Sequence, residues 1–334
     1  MSSKPTVLLL LPDQIARQMF RPEQLKRLSE IAEVVGPYMP DQGTPALQAM
    51  SRADVIITGW RTPMFTPERL ALAPRLKLIA HSAGSVKPIV CDAVFERGIR
   101  VTTAAAGNAH PVAQVTIAWM ISLLKQMPWI AQAYARNDRE EYLRRKALCR
   151  ELMDISVGIV GASRVGREVL RLLRQFPRLT IRVYDPYLTP EQAQAMGAEL
   201  CSLEQVCRCE VVSIHAPNLP STRHMFNART LALLPDHAVL INTARGALID
   251  EAALVAELHR RPLYVALDVT DPEPPLPDSP LRSAPNLVLT PHIAGAVSQG
   301  RFDMGQIAID ETLRFLRGQP LEHEVTPAML PTQA

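Results

Sequence analysis

Residues 157–166 read VGIVGASRVG, and the helix-forming stretch RVGREVLRLLRQF continues to residue 176. An apolar run that meets glycine and passes at once into a helix is the strand–turn–helix entry of a dinucleotide-binding unit, provided the glycines fall as G-x-G-x-x-G. Gly161 and Gly166 take the first and third positions, and Ser163 stands at the second. The first glycine makes the tight turn, the second lets the backbone approach a pyrophosphate, and the third lets helix and strand pack closely. Serine is the least damaging replacement at the second, because its hydroxyl can donate to a phosphate oxygen. The helix N-terminus still offers free N–H groups and a partial positive charge.

One strand further on, TIRVYD (180–185) ends in Asp185, 19 residues past Gly166. A carboxylate there accepts from the ribose hydroxyls of an adenosine and repels a 2′-phosphate, so NAD(H) is expected and NADP is disfavoured. The competing reading is an aspartate that caps the loop before Pro186.

Outward from this centre, apolar or β-branched runs alternate with helical periodicity along the whole chain. The first apolar run (6–10), DVIIT (54–58), LKLIA (76–80) and IRVTT (99–103) lie before the turn. EVVSIH (210–215), AVLINT (238–243), YVALDV (264–269) and LVLTPH (287–292) follow it. Continuous apolar strands separated by helices predict parallel sheets covered on both faces, an α/β fold. Four strand signals precede the glycine turn, so a complete α/β unit comes first. The amphipathic stretch 300–317 follows the last strand without a new sheet and is expected to return to that first unit. The charged stretch 128–150 reads as a linker or as an arm lying over a partner subunit.

The bulk numbers narrow the function. A chain of 334 residues has room for two domains. Its net charge of +3 is scattered, which argues against a nucleic-acid surface. No apolar run has the length of a membrane span, and the first apolar stretch is too short for a secretory signal. Cys201, Cys207 and Cys209 lack the C-x-x-C spacing of a zinc site, so no metal is expected. Together with Cys91 and Cys149 they read as free thiols of a reducing cytoplasm.

Three phrases of the second half each end a predicted strand, where open α/β sheets place ligands. NTARGALID (242–250) offers Arg245, LDVTDPEP (267–274) offers Glu273, and LTPHIAG (289–295) offers His292. Oxidising a 2-hydroxy acid needs a base for the hydroxyl proton and a fixed cation for the carboxylate. Histidine titrates near neutrality, a neighbouring glutamate stabilises the imidazolium, and arginine's planar fork matches a carboxylate. Taken singly, each residue has a bland reading: a surface arginine, a solvated loop carboxylate, a structural histidine. Three matching strand ends favour the joint one.

These phrases, with GASRVG, YDPY and HAPNLPSTRHMFN (215–227), resemble the D-isomer-specific 2-hydroxyacid dehydrogenase family, from about residue 50 to the end of the final helix. The family includes glyoxylate/hydroxypyruvate reductases, D-lactate dehydrogenases and 3-phosphoglycerate dehydrogenases. The resemblance implies that Arg245 binds the substrate carboxylate, that His292 is the acid/base, and that Glu273 is its partner. It implies two Rossmann-like domains with parallel sheets. A discontinuous, flavodoxin-like substrate domain takes residues 1–105 and 299–334, and an NAD-binding domain takes 106–298. It also implies a cofactor site of Gly161, Ser163, Arg164, Val165, Gly166, Asp185, His215, Pro217, Thr222, Thr243, Ala244, Asp268 and Gly295, with Asp268 near the nicotinamide carboxamide. A homodimer, joined largely through the long helix that follows AAAGNAHPVA and the arm beyond it, is expected.

The chain departs from the family at three places. The substrate loop, often G-x-G-x-D, is Ala83-Gly84-Ser85 with Lys87 in place of the acid; Gln114 replaces the acid of a VAE phrase, and Ser163 replaces the second fingerprint glycine. Ser85 adds a hydroxyl that would favour a more polar acid, and Lys87 a cation that would attract a further anionic group. With the chain ending at 334, no appended regulatory domain is expected. The leading expectation is an NAD-dependent reductase of a small 2-keto acid. A nucleotide-sensing, corepressor-like binding protein is the alternative from another class, and a formate or phosphite dehydrogenase ranks last.

Overall fold

A computed structural model describes residues 4–39 and 43–332. Two compact units divide the chain: 1–108 with 296–334, and 109–295. The first is therefore discontinuous in sequence.

Its sheet holds β1 (Thr6–Leu10), β2 (Glu33–Tyr38), β3 (Val55–Thr58), β4 (Leu78–His81) and β5 (Arg100–Thr103), in the order β2-β1-β3-β4-β5 with parallel ladders throughout. The central strands β1, β3 and β4 are short and buried along their whole length because both faces of the sheet are covered there. On one face, Val7, Leu9, Val55 and Leu78 pack with Met304, Ala308, Ile309 and Leu313 of the helix Gln299–Leu316. The terminal helix thus belongs to the first unit.

The second unit carries β6 (Ser156–Val160), β7 (Thr180–Tyr184), β8 (Glu199–Leu200), β9 (Val211–Ile214), β10 (Val239–Asn242), β11 (Tyr264–Leu267) and β12 (Leu287–Leu289). The order is β12-β11-β10-β9-β6-β7-β8, again with parallel ladders. Alternation divides the core between the faces. Val157 and Ile159 pack with Val169, Leu170 and Leu173 of the helix Arg164–Leu173, whereas Val160, Val212, Ile214 and Leu240 belong to the opposite cluster. That cluster includes Cys207, whose thiol is pushed up to about 12 by burial. The five cysteines are free thiols.

The register decides where chemistry can sit. Val160 pairs with Ile214, Ile214 with Asn242, Asn242 with Leu267, and Leu267 with Leu289. The residues that follow, Gly161, His215, Thr243, Asp268 and Thr290, therefore leave the carboxyl end of the sheet side by side. The order in which strands are added reverses between β6 and β9, where doubly wound sheets open a ligand crevice.

The stretch 128–150 is helical for most of its length. It forms Met127–Ala135 and Arg139–Lys146, the latter capped by Asp138 and laced by Glu141 to Arg144 and Arg145 at 2.8 and 2.6 Å. Among the described residues no helix is long and apolar enough to cross a membrane, and no cluster of His, Cys, Asp and Glu could hold a metal.

Candidate active site

The glycine turn is built as its sequence demands. Gly161 has φ +93°, and a Cβ there would meet the Ala216 nitrogen at 2.7 Å; a Cβ on Gly166 would lie 2.0 Å from the Gly161 carbonyl oxygen. Ser163 is the N-cap of Arg164–Leu173, its hydroxyl accepting the Gly166 N–H at 3.3 Å. Capping uses a lone pair and leaves the hydroxyl proton available to an anion at the helix N-terminus. Arg164 is exposed, while Val165 is half-buried.

Asp185 is tied to this turn. One carboxylate oxygen accepts from Ala162 N at 2.7 Å and the other from Tyr187 N at 2.9 Å. The sequence pattern pointed to ribose recognition; the brace on the turn was not legible, since 23 residues separate the partners. Each oxygen keeps a further lone pair for a ligand.

His215 lies beside the turn at the end of β9. It is 3% exposed, its Nε2 bonds to Ser213 Oγ at 2.9 Å, and its Nδ1 is the one buried side-chain polar atom without a partner among the described residues. Burial drives its pKa down to about 3, so the ring is neutral. Thr222 closes the next loop on itself, donating to Pro217 O at 2.6 Å and accepting from Leu219 N at 2.9 Å. Thr243 bonds Thr116 of the long helix Ala105–Leu124 at 3.0 Å.

The Arg245 turn is clamped by a residue that sequence reasoning passed over. The buried Asn242 accepts from Ala244 N at 3.0 Å and donates to Arg245 O at 2.9 Å. Arg245 donates to Ala244 O at 2.6 Å; burial lowers its pKa, and the charge of Glu273 works against that. Arginine titrates so high that the guanidinium stays charged. Gly246 locks this turn against the loop that carries Glu273, since a Cβ would fall 2.1 Å from the Thr270 carbonyl carbon. Glu251 holds the same loop by accepting from Asp271 N at 2.8 Å, and Arg223 pairs with Asp271 at 3.2 Å.

Glu273 and His292 meet: Oε1 lies 2.6 Å from Nδ1, with the side chains 41% and 48% exposed. Nδ1 is thereby engaged, which leaves Nε2 for a reacting group. His292 adopts φ +53°, rare for a residue with a side chain. Its N–H bonds to Asp268 O at 2.9 Å, while the buried Asp268 carboxylate takes the hydroxyl of Thr290 and the amides of Ile293 and Ala294. Gly295, next along, is half-buried.

Within the first unit, Ala83, Gly84 and Ser85 follow β4. Thr103 Oγ1 bonds the carbonyls of Ala83 and Gly84, and no atom lies within 4 Å of where a Gly84 Cβ would be. His81, bonded to Thr58 Oγ1 at 2.9 Å and to the Ser85 backbone, is held neutral by burial, at a pKa of about 4. Gln114 bonds His110 at 3.0 Å, and His110 pairs with Glu168 at 2.6 Å.

The geometry accords with what the chain is similar to. Residues 117–294 match the family model described as "D-isomer specific 2-hydroxyacid dehydrogenase, NAD binding domain". D-3-phosphoglycerate dehydrogenase of Methanocaldococcus jannaschii is 31% identical over 93% of this chain and 59% of its own length. The Bacillus subtilis protein of that name is 32% identical over 76% of this chain and 48% of its own. The chain thus spans about half the length of these relatives. A 2-hydroxyacid dehydrogenase from Ketogulonicigenium vulgare superposes with a TM-score of 0.77 at 25% identity, covering 97% of this chain and 99% of that one. Rhodotorula graminis D-mandelate dehydrogenase shares the fold, with a TM-score of 0.83 at 23% identity over 97% and 98% of the two chains. Matched over more than half its length, the chain belongs to the D-isomer specific 2-hydroxyacid dehydrogenase family, with NAD(H) as its cofactor.

Proposed function

We propose that the protein interconverts a small 2-keto acid and the corresponding D-2-hydroxy acid, with glyoxylate and hydroxypyruvate the first substrates to test. The observation that carries this reading is the 2.6 Å contact between His292 Nδ1 and Glu273 Oε1, which leaves Nε2 of a half-exposed imidazole for a substrate oxygen.

The second unit suits the cofactor on its own geometry. A glycine turn too tight for a Cβ at Gly161 or Gly166, a capped helix N-terminus, and the orphaned Nδ1 of His215 lie together at the carboxyl end of one sheet. Gly161, Ser163, Arg164, Val165 and Gly166 would hold the pyrophosphate, and Asp185 the adenosine ribose. His215, Pro217, Thr222, Thr243, Ala244, Asp268 and Gly295 complete the set, and residues 106–298 form the NAD-binding domain. When bound, NADH supplies the hydride.

In reduction, His292 as imidazolium gives its Nε2 proton to the carbonyl oxygen as the substrate carbon is reduced. Glu273 stabilises that cation through Nδ1–H, and the neutral ring is left behind. Arg245 holds the carboxylate and polarises the keto oxygen. Oxidation runs the proton the other way. Residues 1–105 and 299–334 form the substrate domain, with Ala83, Gly84 and Ser85 as its substrate loop. Exposed Met127, Tyr134 and Leu143 on the two helices after the long one support a homodimer, and the free thiols a reducing cytoplasm.

Initial rates for a panel of 2-keto acids with NADH and NADPH test the reaction. His292→Ala is expected to lower kcat by about two to four decades, the range for loss of a general acid/base. A variant near the parent rate removes His292 from the mechanism. NADH binding without turnover of any 2-keto acid favours a nucleotide sensor instead.

A further inference from the structure

The last residues of β3, β4 and β5 form a polar row: Thr58 pairs with His81 in the sheet register, and His81 with Thr103. All three are at most 3% exposed. This row holds the loop after β4 by its carbonyl groups. Thr103 Oγ1 shares its proton between Ala83 O, at 3.2 Å, and Gly84 O. The His81 ring faces the Ser85 backbone in a contact that favours its protonated form, so the partner is the carbonyl and the ring donates. Nδ1 is engaged with the Thr58 hydroxyl at 2.9 Å, which leaves Nε2–H for that carbonyl. Thr58 is anchored in turn, its own carbonyl taking the Ser82 N–H at 2.8 Å and the Ser82 hydroxyl at 2.7 Å. In a trans peptide the N–H points opposite to the C=O. Three successive carbonyls fixed on the row therefore turn the amides of Gly84, Ser85 and Val86 the other way. None of these amides bonds an acceptor among the described residues. Gly84 and Ser85 are half-buried, and the place of a Gly84 Cβ is open. Successive amides turned to one side form a concavity that selects negative charge.

We propose that His81 is a positioning residue of the substrate loop: held by Thr58, it fixes the Ser85 carbonyl and so aims the Val86 amide, beside those of Gly84 and Ser85, at the substrate carboxylate. The inference rests on residues 83–85 being the loop that receives a 2-keto acid, and adds what sets its aim. A neutral imidazole donates once and accepts once, which matches one carbonyl and one hydroxyl. Burial keeps the ring neutral, at a pKa of about 4. Without the ring the Ser85–Val86 peptide is free to turn, and the carboxylate loses a donor. The effect should therefore fall on substrate binding and spare both proton transfer at His292 and the cofactor.

The test compares His81→Leu, His81→Gln, Thr58→Val and Thr58→Ser with the parent. Leucine removes both ring nitrogens, and glutamine returns a donor near the place of Nε2. Valine removes the Thr58 hydroxyl at nearly constant volume, and serine keeps it. The readouts are KM and kcat for the fastest 2-keto acid at saturating NADH, the NADH Kd by nicotinamide fluorescence, and the Kd of oxamate for the NADH-loaded protein. Oxamate carries the carboxylate of a 2-keto acid and accepts no hydride. A hydrogen bond to a charged group is worth roughly 10- to 100-fold in affinity. His81→Leu and Thr58→Val should therefore raise KM and the oxamate Kd about tenfold or more, with kcat within about threefold and the NADH Kd within about twofold of the parent. His81→Gln and Thr58→Ser should bind oxamate within about threefold of the parent. Parent-like KM and oxamate Kd in either His81→Leu or Thr58→Val overturn the inference. So does a loss confined to kcat or to NADH binding, or one that Thr58→Ser shares. Should His81→Leu fail to fold, the two Thr58 variants decide. Should the parent reduce no 2-keto acid, the proposed function falls and oxamate alone decides the positioning role. Weaker binding in Thr58→Val than in Thr58→Ser then sustains it, and a parent that binds no oxamate overturns it.

Discussion

His215 and His81 are neutral inside the protein for one reason, desolvation, which lowers their pKa values to about 3 and about 4 from an ordinary value of 6.5. The unfolded chain therefore binds protons that the folded chain refuses as pH falls below 6.5. The stability that these rings contribute is complete above 6.5 and declines through the window down to their folded values. Each histidine adds a slope of about 1.4 kcal/mol per pH unit inside its window. Glu141 and Glu168, held near 2 by arginine partners, act lower, losing their contribution only as pH drops below the ordinary carboxylate range. Urea unfolding at pH 7.5, 6 and 5 should show stability falling before those carboxylates begin to protonate. A flat profile across that range would mean that the rings are not desolvated. Neither burial was legible in the sequence. His215 stood out only through its resemblance to a family phrase, and its orphaned Nδ1 depends on what the folded chain fails to bring near it. Asn242 and Asp185 show the converse. The residue type of Asp185 suggested a ribose ligand and Asn242 carried no reading, whereas the backbone partners of both depend on loop geometry that no periodicity encodes.

At the scale of elements, the helix after the glycine turn begins on a serine cap, which explains why the fingerprint survives its missing glycine. The Ser163 hydroxyl accepts from Gly166 N, so Ser163→Ala should cost about 1 kcal/mol, whereas Ser163→Gly should cost a few tenths. Chemical denaturation of both variants checks this, and equal stabilities would remove the cap from the account. Strands of the sheet interiors were legible because their apolar runs are continuous. The two that were not, β2 and β8, are edge strands. β2 contains Gly36 and Pro37, residues that break a strand pattern and that edges tolerate, and β8 is two residues long. The charged stretch after the long helix read as linker or arm because its helical support comes from Glu141 reaching Arg144 and Arg145 and from the Asp138 cap. Apolar periodicity contributes little there.

For the whole molecule, the central position of the glycine turn already implied a complete unit before it. What the sequence could not weigh is how much that unit owes to the chain's return. Met304, Ile309 and Leu313 are at most 3% exposed against the first sheet, and Val325 N bonds Val101 O at 2.8 Å. Buried Glu311 accepts the amides of Glu322 and His323, which fixes the course of the chain beyond the helix. Three such side chains at about 1.5–3 kcal/mol each are comparable with the roughly 5–15 kcal/mol by which a domain is stable. Ending the chain at residue 295 should therefore melt the first unit. The second unit is contiguous over 109–295 with its own two core clusters, and should keep its fold. Limited proteolysis of the shortened chain is expected to leave a resistant fragment beginning near residue 109 that still enhances NADH fluorescence, with residues 1–108 degraded. A first unit that resists protease without residues 296–334 would show that the strand faces of β1, β3 and β4 are covered adequately by the helices before them.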